Sequence, residues 1–178
     1  MTSLAEIWGS LEKAGKPTPY MLIDCAGIDG GEFRIPREAF SELECLFTGD
    51  LAVELANVGP YLGRVKSYAP DVKAVVEELL SEQVALLVTL QDLKDEQENI
   101  AFSEVHRHFR KFNVVYGPEG DPLFFRYYDP RVLLDVLTAL DGTQLEAFFG
   151  PTDTLVFLDR SSQVTRCYRQ AGKLLVSV

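Results

Sequence analysis

The sequence VALLVTL, residues 84–90, decides the fold class. It is apolar at almost every position and rich in β-branched residues, a composition that favours a β-strand covered on both faces. A strand of this kind lies inside a sheet, between layers of helices. We therefore expect a mixed α/β (α+β) fold, in which helices pack on a mixed, partly antiparallel β-sheet and residues 84–90 form a central strand.

The elements before this strand are predicted from apolar spacing and from Gly and Pro breakers. Apolar residues at helical spacing predict a short amphipathic helix that ends near Lys13. Pro36 stands at a favourable first helical position and predicts a helix over 36–47. Further predictions are a buried strand at 20–24, irregular or short-strand structure around 60–65 and a helix at 71–83.

The elements after the strand begin with a long predicted helix at 91–112, in which the pattern allows one break, with acidic residues at its start and basic residues at its end. Two β-type segments, 113–116 and 123–128, flank the turn-rich GPEGDP and predict a β-hairpin. A helix at 143–149 and strands at 154–158, 163–169 and 173–178 complete the chain. We expect one compact domain over 1–178, with strands at its C-terminal end, 163–178.

Composition excludes several classes of function. The 17 Lys and Arg against 27 Asp and Glu give a net charge of −10, which repels a nucleic-acid backbone. No apolar stretch reaches the roughly 20 residues that span a bilayer. Three widely spaced cysteines without a CxxC pair fit a reducing compartment. We expect a cytoplasmic protein with no nucleic-acid partner, no membrane span of its own and no cofactor.

The sequence LFFRYYDPRV, residues 123–132, combines an arginine between aromatic residues with a helix start. In an extended strand Phe124, Arg126 and Tyr128 share one face. Asp129 is a suitable N-cap, and Pro130 has the backbone angle of a first helical residue. Two interpretations stay open: Arg126 forms an internal ion pair, with Asp129 nearest in sequence, or an arginine here binds a partner.

Other patterns predict no catalytic, cofactor-binding or metal residue. His106 and His108 are two positions apart on a predicted helix, so they point in nearly opposite directions and cannot hold one metal. Their expected state is solvated or ion-paired. The glycines in DGGE at 29–32 lack a phosphate-binding motif and predict a turn. The acidic cluster at Asp92, Asp95, Glu96 and Glu98 lacks the spacing of a calcium loop and is typical of a helix start.

The sequence HRHFRKFNVVYGPEGDPLFFRYYDPRVLLDVL, residues 106–137, resembles the signature region of adaptor, or chaperone, proteins for type VI secretion effectors. Weaker similar blocks occur in order from Pro19 to Asp159, among them LIDCA, LFTGDLAVELANVGPYLGRV and LEAFFGPTDTLVFLD. The departures are Phe109 for leucine, Gly59 for alanine and EGD for the DG turn. The positions that match the family's motifs are Arg126, Tyr128, Asp129, Pro130, Arg131, His108, Arg110, Pro60 and Tyr61.

The resemblance implies a non-enzymatic, cytoplasmic adaptor that binds one cognate secreted toxin effector and helps load it onto a VgrG-type spike protein. The residues expected to bind the partner are Arg126, Tyr128, Arg131 and Tyr61. The residues expected to support the fold are Asp129, Pro130, His108, Arg110 and Pro60. Two alternatives remain: an immunity-type protein that binds a toxin, and, less favoured, a small hydrolase that needs two converging carboxylates.

Overall fold

A computed structural model gives the fold and describes residues 3–91, 101–170 and 172–177. Within these residues the helices are α1 (Leu4–Lys13), α2 (Asp50–Leu55), α3 (Pro70–Ser81), α4 (Phe102–Arg110), α5 (Pro130–Ala139) and α6 (Gly142–Phe149). The strands are β1 (Tyr20–Asp24), β2 (Phe40–Cys45), β3 (Pro60–Val65), β4 (Ala85–Leu90), β5 (Val114–Tyr116), β6 (Pro122–Phe124), β7 (Thr152–Leu158), β8 (Val164–Gln170) and β9 (Lys173–Ser177).

Seven of these strands form one sheet in the order β2-β3-β1-β4-β7-β8-β9, and β5 pairs with β6 as a separate hairpin. The predicted fold class is confirmed, and β4 is the central strand. Every strand pair in the described part of the chain is antiparallel, so the sheet is more uniform than the mixed sheet we expected.

The core lies on both faces of this sheet because successive side chains of a strand point to opposite sides. On β1, Tyr20 and Leu22 pack with α4, α5 and α6, whereas Met21 and Ile23 pack with α1 and α3. β4 and β7 alternate in the same way. A fully buried side chain of this size contributes roughly 1.5–3 kcal/mol to stability, so the two layers of helices hold the sheet from both sides.

Most of the predicted elements are confirmed. The amphipathic helix ends at Lys13, and its N-cap Ser3 forms a capping box with Glu6. Asp129 caps α5 by accepting a hydrogen bond from the Arg131 amide, and Pro130 is the first helical residue. The helix at 143–149, the hairpin and the C-terminal strands are also present.

The predicted helix at 36–47 is wrong. Pro36 precedes a short 3₁₀ turn at Arg37–Ala39, and the chain then forms β2, paired with β3. Leu43 is half-buried while Glu42 and Glu44 are exposed, which is the two-residue alternation of a strand. Pairing along β3 stabilises this strand more than the helix propensity of its glutamates stabilises a helix.

The predicted helix at 91–112 is confirmed in its second half, where α4 lies. Its remainder at 92–100, including the acidic cluster, falls outside the described residues. In the part that the structure describes, none of the helices combines the length and the apolar character that a membrane crossing needs.

Candidate functional site

The sequence LFFRYYDPRV, residues 123–132, is called the motif below. Its strand ends earlier than predicted. β6 ends at Phe124, and the chain turns before α5, so the expected alternation through Tyr128 is wrong. Tyr127 and Tyr128 are both buried although they are neighbours. The Tyr127 hydroxyl lies inside the core and donates a hydrogen bond to the carbonyl of Phe109 at 2.9 Å, which holds the turn against the end of α4.

The side chain of Asn113 adds two further contacts to the hydrogen bond between Tyr127 and Phe109. It lies 3.3 Å from the Tyr127 hydroxyl through Oδ1 and donates from Nδ2 to the carbonyl of Leu46 at 2.8 Å. These bonds connect the end of α4, the motif and the chain after β2. The residues of the site are therefore held by three separate segments.

Arg126 forms an ion pair that reaches across the sequence. Its Nη2 donates to Oδ2 of Asp24 at 2.5 Å and lies 3.6 Å from Oδ2 of Asp129. Asp24 is the last residue of β1 and only 1% exposed, whereas the Arg126 side chain is 45% exposed. The predicted internal pair exists, but its main partner is Asp24, with Asp129 second.

Asp129 has a second cation in Arg131. The Arg131 guanidinium binds it in a bidentate manner, through Nε and Nη2, at 2.8 Å each. Burial alone would raise the pKa of Asp129, but the bonds from Arg131 outweigh this effect and hold it below its ordinary value. Asp129 is therefore a firmly ionised helix cap.

The pKa of Asp24 shifts in the opposite direction. Burial raises its pKa above the ordinary value, although the hydrogen bond from Arg126 opposes the shift. The amide of Ala26 is close enough to lower this pKa somewhat, yet no described group makes a hydrogen bond of normal geometry to Oδ1. Asp24 is thus a buried carboxylate that depends mainly on one arginine.

An apolar groove of about 170 Å³ opens beside Arg126. One side is formed by Leu55 at the end of α2 and Val58 in the turn after it. The hairpin residue Phe124 forms the other side, and its ring centroid lies 6.1 Å from that of Phe47. The remaining lining residues are Ala26, Arg126 and Tyr128. We call this feature the Arg126 groove.

The hairpin next to the groove is unusually apolar for an exposed element. Phe124 is 58% exposed, and Tyr116, on the same face of the hairpin, is 73% exposed. Leu123, on the opposite face, is exposed as well. Two-stranded hairpins are marginally stable alone, and grouped exposed apolar residues mark interaction surfaces. The hairpin and the groove together form a surface suited to binding another protein.

The structure brings three of the four predicted partner-binding residues together. Arg126 and Tyr128 line the groove, and Arg131 lies beside them through Asp129. Tyr61 is elsewhere: it is buried in the core on the opposite face of the sheet, packed with the residues around α1 and α3. Pro60, the first residue of β3, is buried as well.

The two histidines contact different elements, as their opposite directions predict. Nε2 of His106 lies 2.8 Å from the carbonyl of Cys45, and Nε2 of His108 lies 2.8 Å from the carbonyl of Phe148. His108 is buried, so the expectation of a solvated or ion-paired residue is wrong for it, and burial lowers its pKa. Arg110 is exposed at the end of α4.

Sequence reasoning missed Asp24, Phe47, Leu55 and Val58 as members of the site. Asp24 carried one weak signal, since it is the single charged residue at the end of an otherwise apolar strand. In the sequence, Phe47, Leu55 and Val58 have the pattern of ordinary core or helix residues. Only the tertiary fold brings them to the motif.

Burial raises the pKa of the cysteine thiols Cys25, Cys45 and Cys167, the last to about 12. Because the thiolate is the nucleophilic form, these side chains are poor nucleophiles at neutral pH. None of the three lines the groove.

A family model described as "Domain of unknown function (DUF4123)" matches residues 19–147. No curated protein and no solved structure matches the chain. The matched segment includes Asp24, α2, the hairpin and the motif through α5, so the whole Arg126 groove lies inside it.

Proposed function

The chain belongs to the family described as "Domain of unknown function (DUF4123)", and we propose that it is a non-enzymatic adaptor, or chaperone, for type VI secretion. It binds one cognate toxin effector in the cytoplasm and helps load it onto a VgrG-type spike protein. The secretion context rests on the resemblance of residues 106–137 to the signature region of such adaptors.

The observation that carries the proposal is the Arg126 groove with its exposed apolar hairpin. The groove holds about 170 Å³, less than the roughly 300–1,000 Å³ of sites for small molecules. A groove of that size suits a single side chain of a partner protein. Aromatic and arginine side chains around such a groove are the residue types that dominate binding energy in protein interfaces.

In this mechanism the adaptor binds reversibly and performs no chemistry. Phe124 and Tyr116 cover apolar surface of the effector, which keeps that surface from aggregating. Arg126 offers hydrogen-bond donors at the centre of the contact. Release of the effector needs no covalent step, because contacts of this kind form and break reversibly.

The test is affinity purification of the tagged protein from the cytosol of its own host, with the bound proteins identified by mass spectrometry. The expected result is a stoichiometric toxin-like protein together with a spike protein. A strain that lacks the gene should retain the toxin inside the cell instead of secreting it. Normal toxin secretion by that strain would overturn the proposal.

The same strain separates the adaptor from an immunity-type protein. Loss of an immunity protein leaves the cell sensitive to the toxin of its siblings, since the toxin's active site is no longer blocked. Loss of an adaptor stops delivery but leaves survival unchanged. Sensitivity with normal delivery would therefore favour the immunity function.

One observation favours a hydrolase as the second candidate. Asp24 and Asp129 converge on the same nitrogen of Arg126, and their pKa values shift in opposite directions, a pattern found in acid and base pairs. Asp24, however, is buried behind Arg126. Hydrolysis of generic ester or phosphate substrates that disappears in Asp24→Asn, while the variant stays folded, would support the hydrolase.

A further inference from the structure

The size of the Arg126 groove limits what can enter it. The groove holds about 170 Å³, which leaves room for one large apolar side chain, and the walls at Phe47, Leu55, Val58 and Phe124 offer it only apolar contacts. The exposed face of Tyr116 continues this surface along the hairpin. A partner segment therefore needs one bulky apolar residue, with apolar surface beside it.

The two elements that flank the groove, α2 and the hairpin, carry only acidic charged residues, and none of these lines the groove itself. On α2, Asp50 and Glu54 are four residues apart and share one helix face, which lies about 100–140° around the helix axis from Leu55. The hairpin tip carries Glu119 and Asp121, both exposed, at the opposite end of the hairpin from Phe124, which pairs with Val114 at the base. Neither wall contains a lysine or an arginine in its sequence. Positive charge on the partner would complement this rim, whereas negative charge would be repelled.

The floor of the groove consists of Arg126 and Tyr128, and the charged cluster to which Arg126 belongs is electrically balanced. Arg126 and Arg131 face Asp24 and Asp129, so two positive charges meet two negative ones. Because no net positive charge is left, the floor does not favour an added carboxylate.

The floor does offer hydrogen-bond donors. Within the described residues, Nε and Nη1 of Arg126 and the hydroxyl of Tyr128 donate to no other group, and Tyr128 stays protonated because burial raises its pKa to about 12. These donors suit a neutral acceptor such as a main-chain carbonyl.

We propose that the Arg126 groove binds a short segment of the effector with one large apolar side chain, flanked by Lys or Arg. The apolar side chain fills the groove between Phe124 and Val58. The flanking cations lie beyond the groove, against the acidic residues of α2 and of the hairpin tip, and a main-chain carbonyl accepts a hydrogen bond from Arg126. The identification of the occupant as an effector rests on the proposed function, but the chemistry of the segment rests on the groove.

A peptide library displayed on phage and selected on the immobilised full chain tests this chemistry directly. The expected result is enrichment of sequences in which Phe, Leu, Trp or Met is flanked by Lys or Arg within a few positions. Enrichment of acidic sequences, or of sequences without a common apolar residue, would overturn the proposal. So would a selection that enriches no sequence.

Variants of the walls locate the binding. The most enriched sequence is synthesised, and its Kd is measured by isothermal titration calorimetry. Phe124→Ser should weaken binding at least about tenfold, the loss expected for a central aromatic contact. Val53→Ser is the matched control, because Val53 is 86% exposed and lies on α2 but does not line the groove. Equal losses in both variants would contradict the assignment.

The acidic rim is tested by charge reversal. Asp50→Lys with Glu54→Lys should weaken binding several-fold and reduce its dependence on salt, since screened rim charges act over about 10 Å. Glu78→Lys with Glu82→Lys, exposed residues at the end of α3 on the opposite side of the sheet, gives the same charge change as a control. Unchanged binding in the first pair would contradict the basic character of the segment.

The two proposals fail in different experiments. If the wild-type chain captures its effector and the Phe124→Ser chain captures it equally well, only the Arg126 groove is excluded as the binding surface. If the peptide selection succeeds while the gene deletion leaves secretion normal, the groove is supported and the adaptor function is not.

Discussion

The guanidinium of Arg126 is hydrogen-bonded to the carboxylate of Asp24, 102 positions earlier in the chain. One partner is half-exposed in the motif, and the other is buried at the end of β1. A buried carboxylate without a cation is costly, so this bond ties the motif to the central sheet. The same arginine also faces the groove, and its two roles can be separated by measurement.

Arg126→Ala should lower the free energy of unfolding by about 2 kcal/mol, measured by urea denaturation at neutral pH. The loss is below the roughly 3–5 kcal/mol of a fully buried pair because Arg126 is half-exposed and water can partly solvate the gap. If stability is unchanged and only partner binding is lost, the arginine is a contact residue and not a folding element.

Removing both partners should cost less than the sum of the single changes. Asp24→Asn in the Arg126→Ala background removes the uncompensated carboxylate, so part of the lost stability, on the order of 1 kcal/mol, should return. Strictly additive losses in this double-mutant cycle would show that the ion pair is not what couples the two residues.

The two aspartates should give opposite dependences of stability on pH. Because the folded-state pKa of Asp24 is raised above 3.8, its contribution is complete below that value and is lost as the pH rises through the folded-state pKa. Because the folded-state pKa of Asp129 is lowered, its contribution is present above 3.8 and is lost as the pH falls through the folded-state pKa.

As the pH rises above about 4, the wild-type chain should lose stability because Asp24 ionises. The Asp24→Asn chain should not show this loss. The measurement is urea denaturation of both chains at a series of pH values from acid to neutral. Parallel profiles for the two chains would mean that the pKa of Asp24 is the same in the folded and unfolded states.

The N-cap of α5 can be separated from the charge of Asp129. Asp129→Asn retains an acceptor for the Arg131 amide, whereas Asp129→Ala removes it, so the alanine variant should be less stable by a further ~1 kcal/mol. Thermal unfolding of the two variants gives the difference. Equal stabilities would indicate that the bidentate pair with Arg131, and not the cap, is the main contribution.

Gly150→Ala should be strongly destabilising because of His108. A methyl group at Gly150 would overlap Cε1 of the buried His108 ring, and the backbone there has φ of +48°. Gly120, with φ of +85° and open space around it, is the matched control. Gly120→Ala should cost about 1 kcal/mol, and Gly150→Ala at least about 2 kcal/mol more, by denaturant unfolding. Similar costs would mean that the His108 ring moves aside.

The fold could be predicted where a local signal and the tertiary structure agree. Short stretches of sequence predict the central strand, the hairpin and the start of α5 at Asp129-Pro130. β2 could not be predicted, because Pro36 and the glutamates that follow it favour a helix locally. Only the presence of β3 alongside stabilises the strand, and sequence spacing does not show which strands are neighbours.

The site was predicted in part for the same reason. The motif identified Arg126, Tyr128 and Arg131, which are close in sequence. The partner Asp24 and the walls at Phe47 and Leu55 come from distant segments, so no spacing rule relates them to the motif. Only the resemblance points to Tyr61, and its position on the other face of the sheet follows from the alternation of β3.

The order of the sheet has a consequence for any shortened version of the chain. The family match ends at residue 147, but β4 is paired with β7, which begins at Thr152. A fragment cut at the family boundary would leave the most apolar strand as an open edge with unpaired main-chain groups. Such an edge is a template for aggregation. A shortened chain that is to stay free of aggregation must therefore include β7 and extend at least through Leu158.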